Sequence, residues 1–163
     1  ALAFTAHSIP AAMAAGCDYV NQLIETGRLV AEAAGHGNWR LVFQSRSGPP
    51  AQAWLEPDIC DHLRELKNEG VRDVVVAPVG FISDHMEVLY DLDTEARRVA
   101  AELGLNLIRA ATVGTHPAFV SMIRELIVER LDAAAPRRAL GIFPPRPDLC
   151  ATDCCLPAAR QAP

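Results

Sequence analysis

Apolar and polar positions alternate along this chain in four blocks, each a short apolar run followed by a longer stretch with helical spacing. Short runs of β-branched and small apolar residues are typical of strands buried on both faces of a parallel sheet, and a 3.6-residue period is typical of helices. The predicted strands are 2–6, 39–45, 71–79 and 105–111, and the predicted helices are 14–34, 58–66, 85–103 and 117–135. This alternation predicts an α/β fold, a doubly wound four-stranded parallel sheet with helices on both faces.

The periodic pattern stops near residue 135, which predicts two parts. Residues 1–135 form the α/β domain, and residues 136–163 form an irregular tail with six prolines and three cysteines. The first predicted strand begins at residue 2 with almost no lead-in, so we expect a further segment of the polypeptide to precede it.

Charge and hydropathy narrow the function classes. The net charge is −5 and the pI is about 5.5, and no basic run is present, so nucleic acid is not an expected partner. The sequence has no apolar run near the ~20 residues that a spanning helix needs, and no signal-peptide pattern. We therefore expect a soluble, cytoplasmic protein without a transmembrane segment.

Polar side chains follow the first and third predicted strands at the edge where open α/β sheets bind ligands. His7 follows the first strand, and Asp84, His85 and Glu87 follow the third. On a helix, Asp84, Glu87 and Asp91 would lie along one face. Imidazole and carboxylate groups bind divalent metals and transfer protons, so these residues are candidate metal ligands. The alternatives are a polar loop histidine and a solvated acidic helix face.

The loop after the second strand is a candidate substrate loop. Gln44, Ser45 and Arg46 begin it, Trp54 offers a large flat surface near its end, and Ser8 lies in the first edge loop. Core packing would explain Trp54 as easily as substrate contact. The chain lacks a phosphate-binding loop, a dinucleotide fingerprint, a nucleophile elbow and a C-x-x-C pair.

Three segments, AFTAHSIP, FQSRSGPPAQAWLEPD and VVVAPVGFISDHMEVLYDLDTEA, occur in that order. Together they resemble the carboxyl-terminal half of ferrochelatase, the lyase of haem biosynthesis that inserts ferrous iron into a porphyrin. The resemblance implies that His7 is the active-site histidine, a metal ligand or proton acceptor, and that Glu87 is its partner acid. It also implies that Asp84 and His85 match the family's Asp-His pair, and that Asp91 occupies an acidic helix position.

The same resemblance sets the expected partners. The substrates would be ferrous iron and coproporphyrin III or protoporphyrin IX. The fold would be one of two similar domains around a porphyrin cleft, so a missing N-terminal domain would supply the other wall and this chain alone could be inactive. One alternative is a short cobalt or nickel chelatase that acts on sirohydrochlorin, although that family lacks the QSRSGPP loop. The other is a non-enzymatic iron–sulfur or haem-binding module.

The tail contains three closely spaced cysteines, Cys150, Cys154 and Cys155. Spacing alone allows an iron–sulfur cluster, zinc, or reactive thiols. Some ferrochelatases carry a carboxyl-terminal [2Fe–2S] cluster, so the resemblance implies that these three cysteines bind that cofactor. Cys17 and Cys60 look like helix residues, and we therefore expect the fourth ligand outside this chain.

Overall fold

The computed structural model describes residues 1–49, 51–150 and 152, and within them strands and helices alternate. The elements in chain order are β1 (Leu2–His7), α1 (Ala11–Ala14), α2 (Tyr19–Ala33), β2 (Trp39–Gln44), α3 (Ile59–Asn68), β3 (Asp73–Ala77), α4 (Met86–Val88), a π-helical segment (Leu89–Ala96), α5 (Arg97–Leu103), β4 (Asn106–Arg109) and α6 (Pro117–Leu131).

The four strands form one parallel sheet in the order β2-β1-β3-β4. In the register of β1 with β2, Leu2 lies opposite Trp39 and His7 lies opposite Gln44. β1 and β3 are therefore the central strands, and β2 and β4 are the edges. The predicted fold class, a four-stranded parallel α/β sheet, is confirmed.

Helices pack on both faces of the sheet. On one face, β1–β3 and α3–α5 enclose a core that contains Val42, Leu63, Val76 and Leu92. On the other face, α2 covers β1 and β2, and its Gly27 lies so close to Phe4 and Trp39 that a Cβ would come within 2.9 Å of the Phe4 ring. The core thus fixes the strand ends that carry the candidate site residues.

Local signals set two of the helix ends. The Asp58 side chain accepts a hydrogen bond from the amide of Cys60 and caps α3, which satisfies a donor that the first helical turn leaves free. Gly104 ends α5 with a φ of 67°, a left-handed conformation that glycine adopts at low cost.

Two predicted helices are interrupted. The helix predicted over 14–34 is a short α1 and a separate α2, and the helix predicted over 85–103 consists of α4, the π-helical segment and α5. A π-helical turn holds an extra residue and bonds each amide to the fifth residue before it. Apolar residues at spacings of three and four fit both helix types, so the sequence pattern did not reveal the change.

The burial predicted for the third strand is wrong on one face. Val74 and Val76 are buried, but Val75 is 40% exposed because no described helix covers that side of β3. Helix α6 likewise has no buried residue, and several of its apolar side chains are exposed: Val120, Met122, Ile123, Leu126, Ile127 and Leu131.

Among the described helices, none has the length and hydropathy of a membrane span.

Candidate active site

His7 is the last residue of central strand β1, so it lies in the middle of the carboxyl edge of the sheet. The Tyr19 hydroxyl donates a hydrogen bond of 2.8 Å to its backbone carbonyl. The ring Nδ1 lies 2.5 Å from the carbonyl oxygen of Ser8. A carbonyl only accepts, so Nδ1 carries a proton and the neutral ring keeps a lone pair on Nε2.

The His7 Nε2 faces Glu87, the second residue of α4. Its distance to Glu87 Oε1 is 3.7 Å, and the two side chains are 33% and 51% exposed. An imidazole nitrogen and a carboxylate at this distance can together bind a divalent cation. The structure thus brings together the two residues to which the family resemblance gave a catalytic role, on a surface open to a ligand.

Asp91 lies one turn further along, at the start of the π-helical segment, and is held by the end of β2. The Ser45 hydroxyl donates to Asp91 Oδ2, and Gln44 Nε2 lies 3.3 Å from the same oxygen. Gln44 Nε2 also lies 3.3 Å from the backbone oxygen of Glu87. Gln44 is only 1% exposed. The edge of β2 is therefore tied directly to the acidic residues.

Asp84 and His85 take positions that differ from the predicted helical row. Asp84 precedes the helix, and its carboxylate receives two 3.2 Å hydrogen bonds from Arg109. Burial raises the pKa of Asp84, but hydrogen bonds from Thr112 and Arg109 outweigh it and leave the pKa below its usual value. His85 Nδ1 accepts a 3.2 Å hydrogen bond from the amide of Glu87 and caps the helix. Both side chains are thus already engaged within the protein.

The candidate substrate loop is joined to the loop after β1 by backbone pairing. Leu55 donates a 3.0 Å hydrogen bond to Ile9, and the Ser8 hydroxyl donates one of 2.9 Å to Leu55. Trp54 packs so closely under Gly48 that a Cβ at this glycine would clash with the indole. Arg46 is half exposed and lies 3.9 Å from Glu56. Ser8 and Trp54 therefore shape the loop, while Arg46 is accessible.

A cleft of about 310 Å³ lies beside this loop, between α3 and the π-helical segment. Its lining includes Ser45, Asp58, Cys60, Asp91 and Glu95. Burial raises the pKa of the Asp58 carboxyl group. Burial also raises the pKa of the Cys60 thiol, and together with the smaller effect of the nearby Asp58 charge it brings this pKa to about 11. Cys60 is therefore a protonated thiol near neutral pH rather than a thiolate ligand.

Sequence reasoning missed two residues that position this site, Tyr19 and Arg109. Tyr19 is half buried, burial raises its pKa, and its hydroxyl fixes the backbone at His7. Tyr19 lies inside the helix predicted over 14–34, and that position offered no functional signal. Arg109 ends β4, and its position inside a predicted strand offered no functional signal.

The described part of the tail is held against α2: Arg146 donates a 2.8 Å hydrogen bond to Asp18, and the amide of Ile142 donates one of 3.0 Å to Glu25. Cys150 is exposed, while Cys154 and Cys155 lie outside the described residues. Within 1–49, 51–150 and 152, no group of three or more His, Cys, Asp or Glu side chains is arranged to hold a metal ion. A larger cavity of about 780 Å³ is lined by residues of α2, α6 and the tail.

Comparison with known proteins decides the family. The ferrochelatase family model matches residues 1–131. The chain belongs to the ferrochelatase family. This result confirms the resemblance inferred from the three sequence segments, and the edge residues His7 and Glu87 lie within the matched region.

Curated ferrochelatases match nearly all of the chain. A ferrochelatase from Rhodopirellula baltica is 52% identical over 161 residues, which are 98% of this chain and 46% of that protein. A coproporphyrin III ferrochelatase from Streptomyces griseus is 49% identical over 99% of this chain and 48% of its own length, and one from Nocardia farcinica is 49% identical over 99% and 49%. The chain spans about half the length of these relatives.

A solved structure shares the fold. A protein from Marinobacter aquaeolei VT8, described as a candidate CbiX protein of cobalamin (vitamin B12) biosynthesis, superposes with a TM-score of 0.54. The match covers 82% of this chain and 98% of that one, at 21% identity. At this identity the likeness shows a common architecture and not a common substrate.

Proposed function

We propose that this chain is the metal-inserting domain of a ferrochelatase, a lyase that places ferrous iron into a porphyrin for haem biosynthesis. The observation that carries the proposal is the approach of His7 Nε2 to Glu87 within 3.7 Å at the carboxyl edge of the sheet, in a chain of the ferrochelatase family. Ferrous iron is a substrate here, not a resident cofactor.

Metal insertion requires loss of the pyrrole protons, and His7 is the base that we assign to this step. The Ser8 carbonyl holds the proton of Nδ1, so Nε2 is the nitrogen that accepts a proton. When Nε2 becomes charged, Glu87 at 3.7 Å stabilises the imidazolium. Because both side chains are exposed to solvent, the proton can then leave to water.

We assign the handling of iron to the acidic residues beyond Glu87. Asp91 and Glu95 follow at four-residue steps along the π-helical segment and line the cleft beside α3. Their carboxylates can attract a hydrated divalent cation toward His7. Asp84 and His85 make a smaller contribution to metal binding in this proposal, because Arg109 and the helix amide already occupy them.

The proposed porphyrin is coproporphyrin III, and protoporphyrin IX is the second candidate. The curated relatives from Streptomyces griseus and Nocardia farcinica are named coproporphyrin III ferrochelatases, which supports this choice. We propose that an N-terminal domain of the same polypeptide forms the other wall of the cleft. The length of the relatives supports this, as do the exposed apolar residues of β3 and α6.

The test is anaerobic iron insertion by the natural full-length protein with each porphyrin. We expect faster turnover with coproporphyrin III and a loss of about 10²- to 10⁴-fold in His7→Ala, the range that a general base contributes. His36→Ala is the matched control, because His36 is exposed in a loop between two glycines. Near-normal turnover in His7→Ala with an unchanged melting curve would show that His7 is not the base.

We also propose that the full-length protein holds a [2Fe–2S] cluster through Cys150, Cys154, Cys155 and one cysteine outside this chain. The exposed Cys150 supports this, and it follows Asp148, which Arg130 and Arg137 each hold at 2.7 Å. Such a cluster needs reduced thiols, which the cytoplasm maintains, and we place the protein there.

The test is visible absorbance with iron and sulfide analysis of the wild type and of Cys154→Ser, with Cys17→Ser as control. An active anaerobic preparation without iron or sulfide would refute the cluster.

A further inference from the structure

Arg109, the last residue of β4, connects two carboxylates that are nine residues apart in the chain. Its Nε and Nη2 donate hydrogen bonds of 2.8 Å to the two oxygens of Asp93. Its Nη1 and Nη2 donate hydrogen bonds of 3.2 Å to the two oxygens of Asp84. The Arg109 side chain is only 12% exposed. A planar guanidinium can satisfy two carboxylates in this way, whereas an ammonium group cannot.

The two carboxylates bracket the residues that face the candidate active site. Asp84 lies before α4 and Asp93 lies within the π-helical segment, so residues 84–93 (the acidic segment) contain His85, Glu87 and Asp91. Arg109 therefore fixes both the start and the far part of the acidic segment to one point on the sheet.

A second attachment holds the acidic segment from the opposite side. Ser45 and Gln44, at the end of β2, contact Asp91. In the sheet order β2-β1-β3-β4, these attachments are on the two edge strands, and His7 on β1 lies between them. The acidic segment thus runs across the carboxyl edge of the sheet and is fastened at both sides, with Glu87 set against His7.

We propose that Arg109 is a positioning residue that holds Glu87 and Asp91 at their working distance from His7. This role rests on the proposed iron-insertion function, since its purpose is to keep a proton acceptor and acidic residues aligned. Arg109 itself touches neither His7 nor Glu87 among the hydrogen bonds and ion pairs of the described residues, so it acts through the backbone of the acidic segment. A displacement of about 1 Å in such a site is enough to slow a reaction by ~10²-fold.

The test compares Arg109→Gln and Arg109→Lys with Arg97→Gln in the full-length protein. Arg97 is the matched control, because it also bonds Asp93, at 3.3 Å, but is 60% exposed and is not bonded to Asp84. We expect Arg109→Gln to lower the kcat of iron insertion at least tenfold and to raise the KM for ferrous iron. Porphyrin affinity, measured by fluorescence, should change less than twofold. Arg109→Lys should not restore activity, because lysine keeps the charge but not the double bidentate geometry.

Hydrogen exchange is a second readout. It distinguishes a positioning role of Arg109 from a general loss of stability and from failure of the proposed function. Hydrogen exchange of residues 84–96 should increase in Arg109→Gln, while residues 2–7 and 39–44 keep their protection and Arg97→Gln shows no change. If Arg109→Gln does not fold, Asp84→Asn releases one attachment only and should show the same exchange increase near residue 84.

Equal kinetics for Arg109→Gln and Arg97→Gln, full rescue by Arg109→Lys, or unchanged exchange over 84–96 would each overturn the proposal. If the wild type inserts no iron while the exchange difference is present, the proposed function fails and the attachment by Arg109 stands.

Discussion

Gly80 lies against the strand that carries His7, and a single methyl group there should disturb both stability and activity. Its amide donates a 3.0 Å hydrogen bond to Thr5 in β1. A Cβ at Gly80 would lie 2.6 Å from the Cβ and 2.8 Å from the Cα of Ala6, well inside the 3.4 Å at which ordinary contact begins. Ala6 is fully buried in the central strand and precedes His7 directly, so its backbone has no room to retreat.

For Gly80→Ala we therefore expect a loss of about 1–3 kcal/mol in the free energy of unfolding, the usual cost of overpacking a core. The strain should be relieved by a shift of the end of β1, which moves His7 relative to Glu87. A shift of some tenths of an ångström up to 1 Å should lower turnover by about ten- to 10²-fold. Because Gly80→Ala should move His7 as well as destabilise the fold, the loss of turnover should exceed the loss expected from the smaller folded fraction alone.

The assay is denaturant unfolding and anaerobic iron insertion by the full-length protein, for Gly80→Ala and Gly37→Ala. Gly37 is the matched control, because a Cβ there meets nothing within 4 Å and its φ is not in the left-handed region. The reasoning would be refuted if both variants behaved alike, or if Gly80→Ala lost stability with full turnover per folded molecule.

Three further predictions concern stability. Glu25→Ala should speed proteolysis of the tail, because Glu25 accepts a 3.0 Å hydrogen bond from the amide of Ile142 and is 8% exposed. Asp58→Ala should cost about 1 kcal/mol of unfolding free energy, since it removes the cap on the amide of Cys60. In the folded state, burial lowers the pKa of His62 below its ordinary value of 6.5, so as the pH drops through 6.5 this histidine binds a proton more readily in the unfolded state. The free energy of unfolding should therefore fall over this pH range. His62→Gln should reduce this acid sensitivity.

Matched controls exist for all three. Glu32→Ala removes an exposed partner of the same Arg28 and should leave the tail protected. Asp61→Ala lies in the same first turn of α3 but is exposed and makes only a surface ion pair, so it should cost less than Asp58→Ala. His36→Gln should not alter the acid dependence. The assignments would be contradicted if a variant and its control gave the same rate of tail cleavage, the same unfolding midpoint or the same dependence of stability on pH.

Much of the fold could be predicted because it depends on local patterns. Apolar runs specified four strands, helical periodicity specified the segments between them, and Asp58 and Gly104 marked helix ends through their own backbone preferences. The positions of His7 and Glu87, after a strand and at the start of a helix, were also visible in the sequence. Parallel strands bring such positions to one edge, which is why their meeting could be expected.

Other features arise from contacts between distant parts of the chain. The strand order places β1 in the centre and so puts His7 between the two attachments of the acidic segment. The ion pairs of Arg109 join residues up to 25 positions apart, and no local propensity encodes them. The change from α- to π-helix at Leu89 leaves the apolar spacing intact. The sequence by itself determined which elements form and which chemistry each strand end carries, because both follow from short-range preferences. Only the tertiary structure decided which side chains are free to act, because a long-range ion pair with Arg109 engages Asp84 and the packing of distant elements leaves His7 facing Glu87.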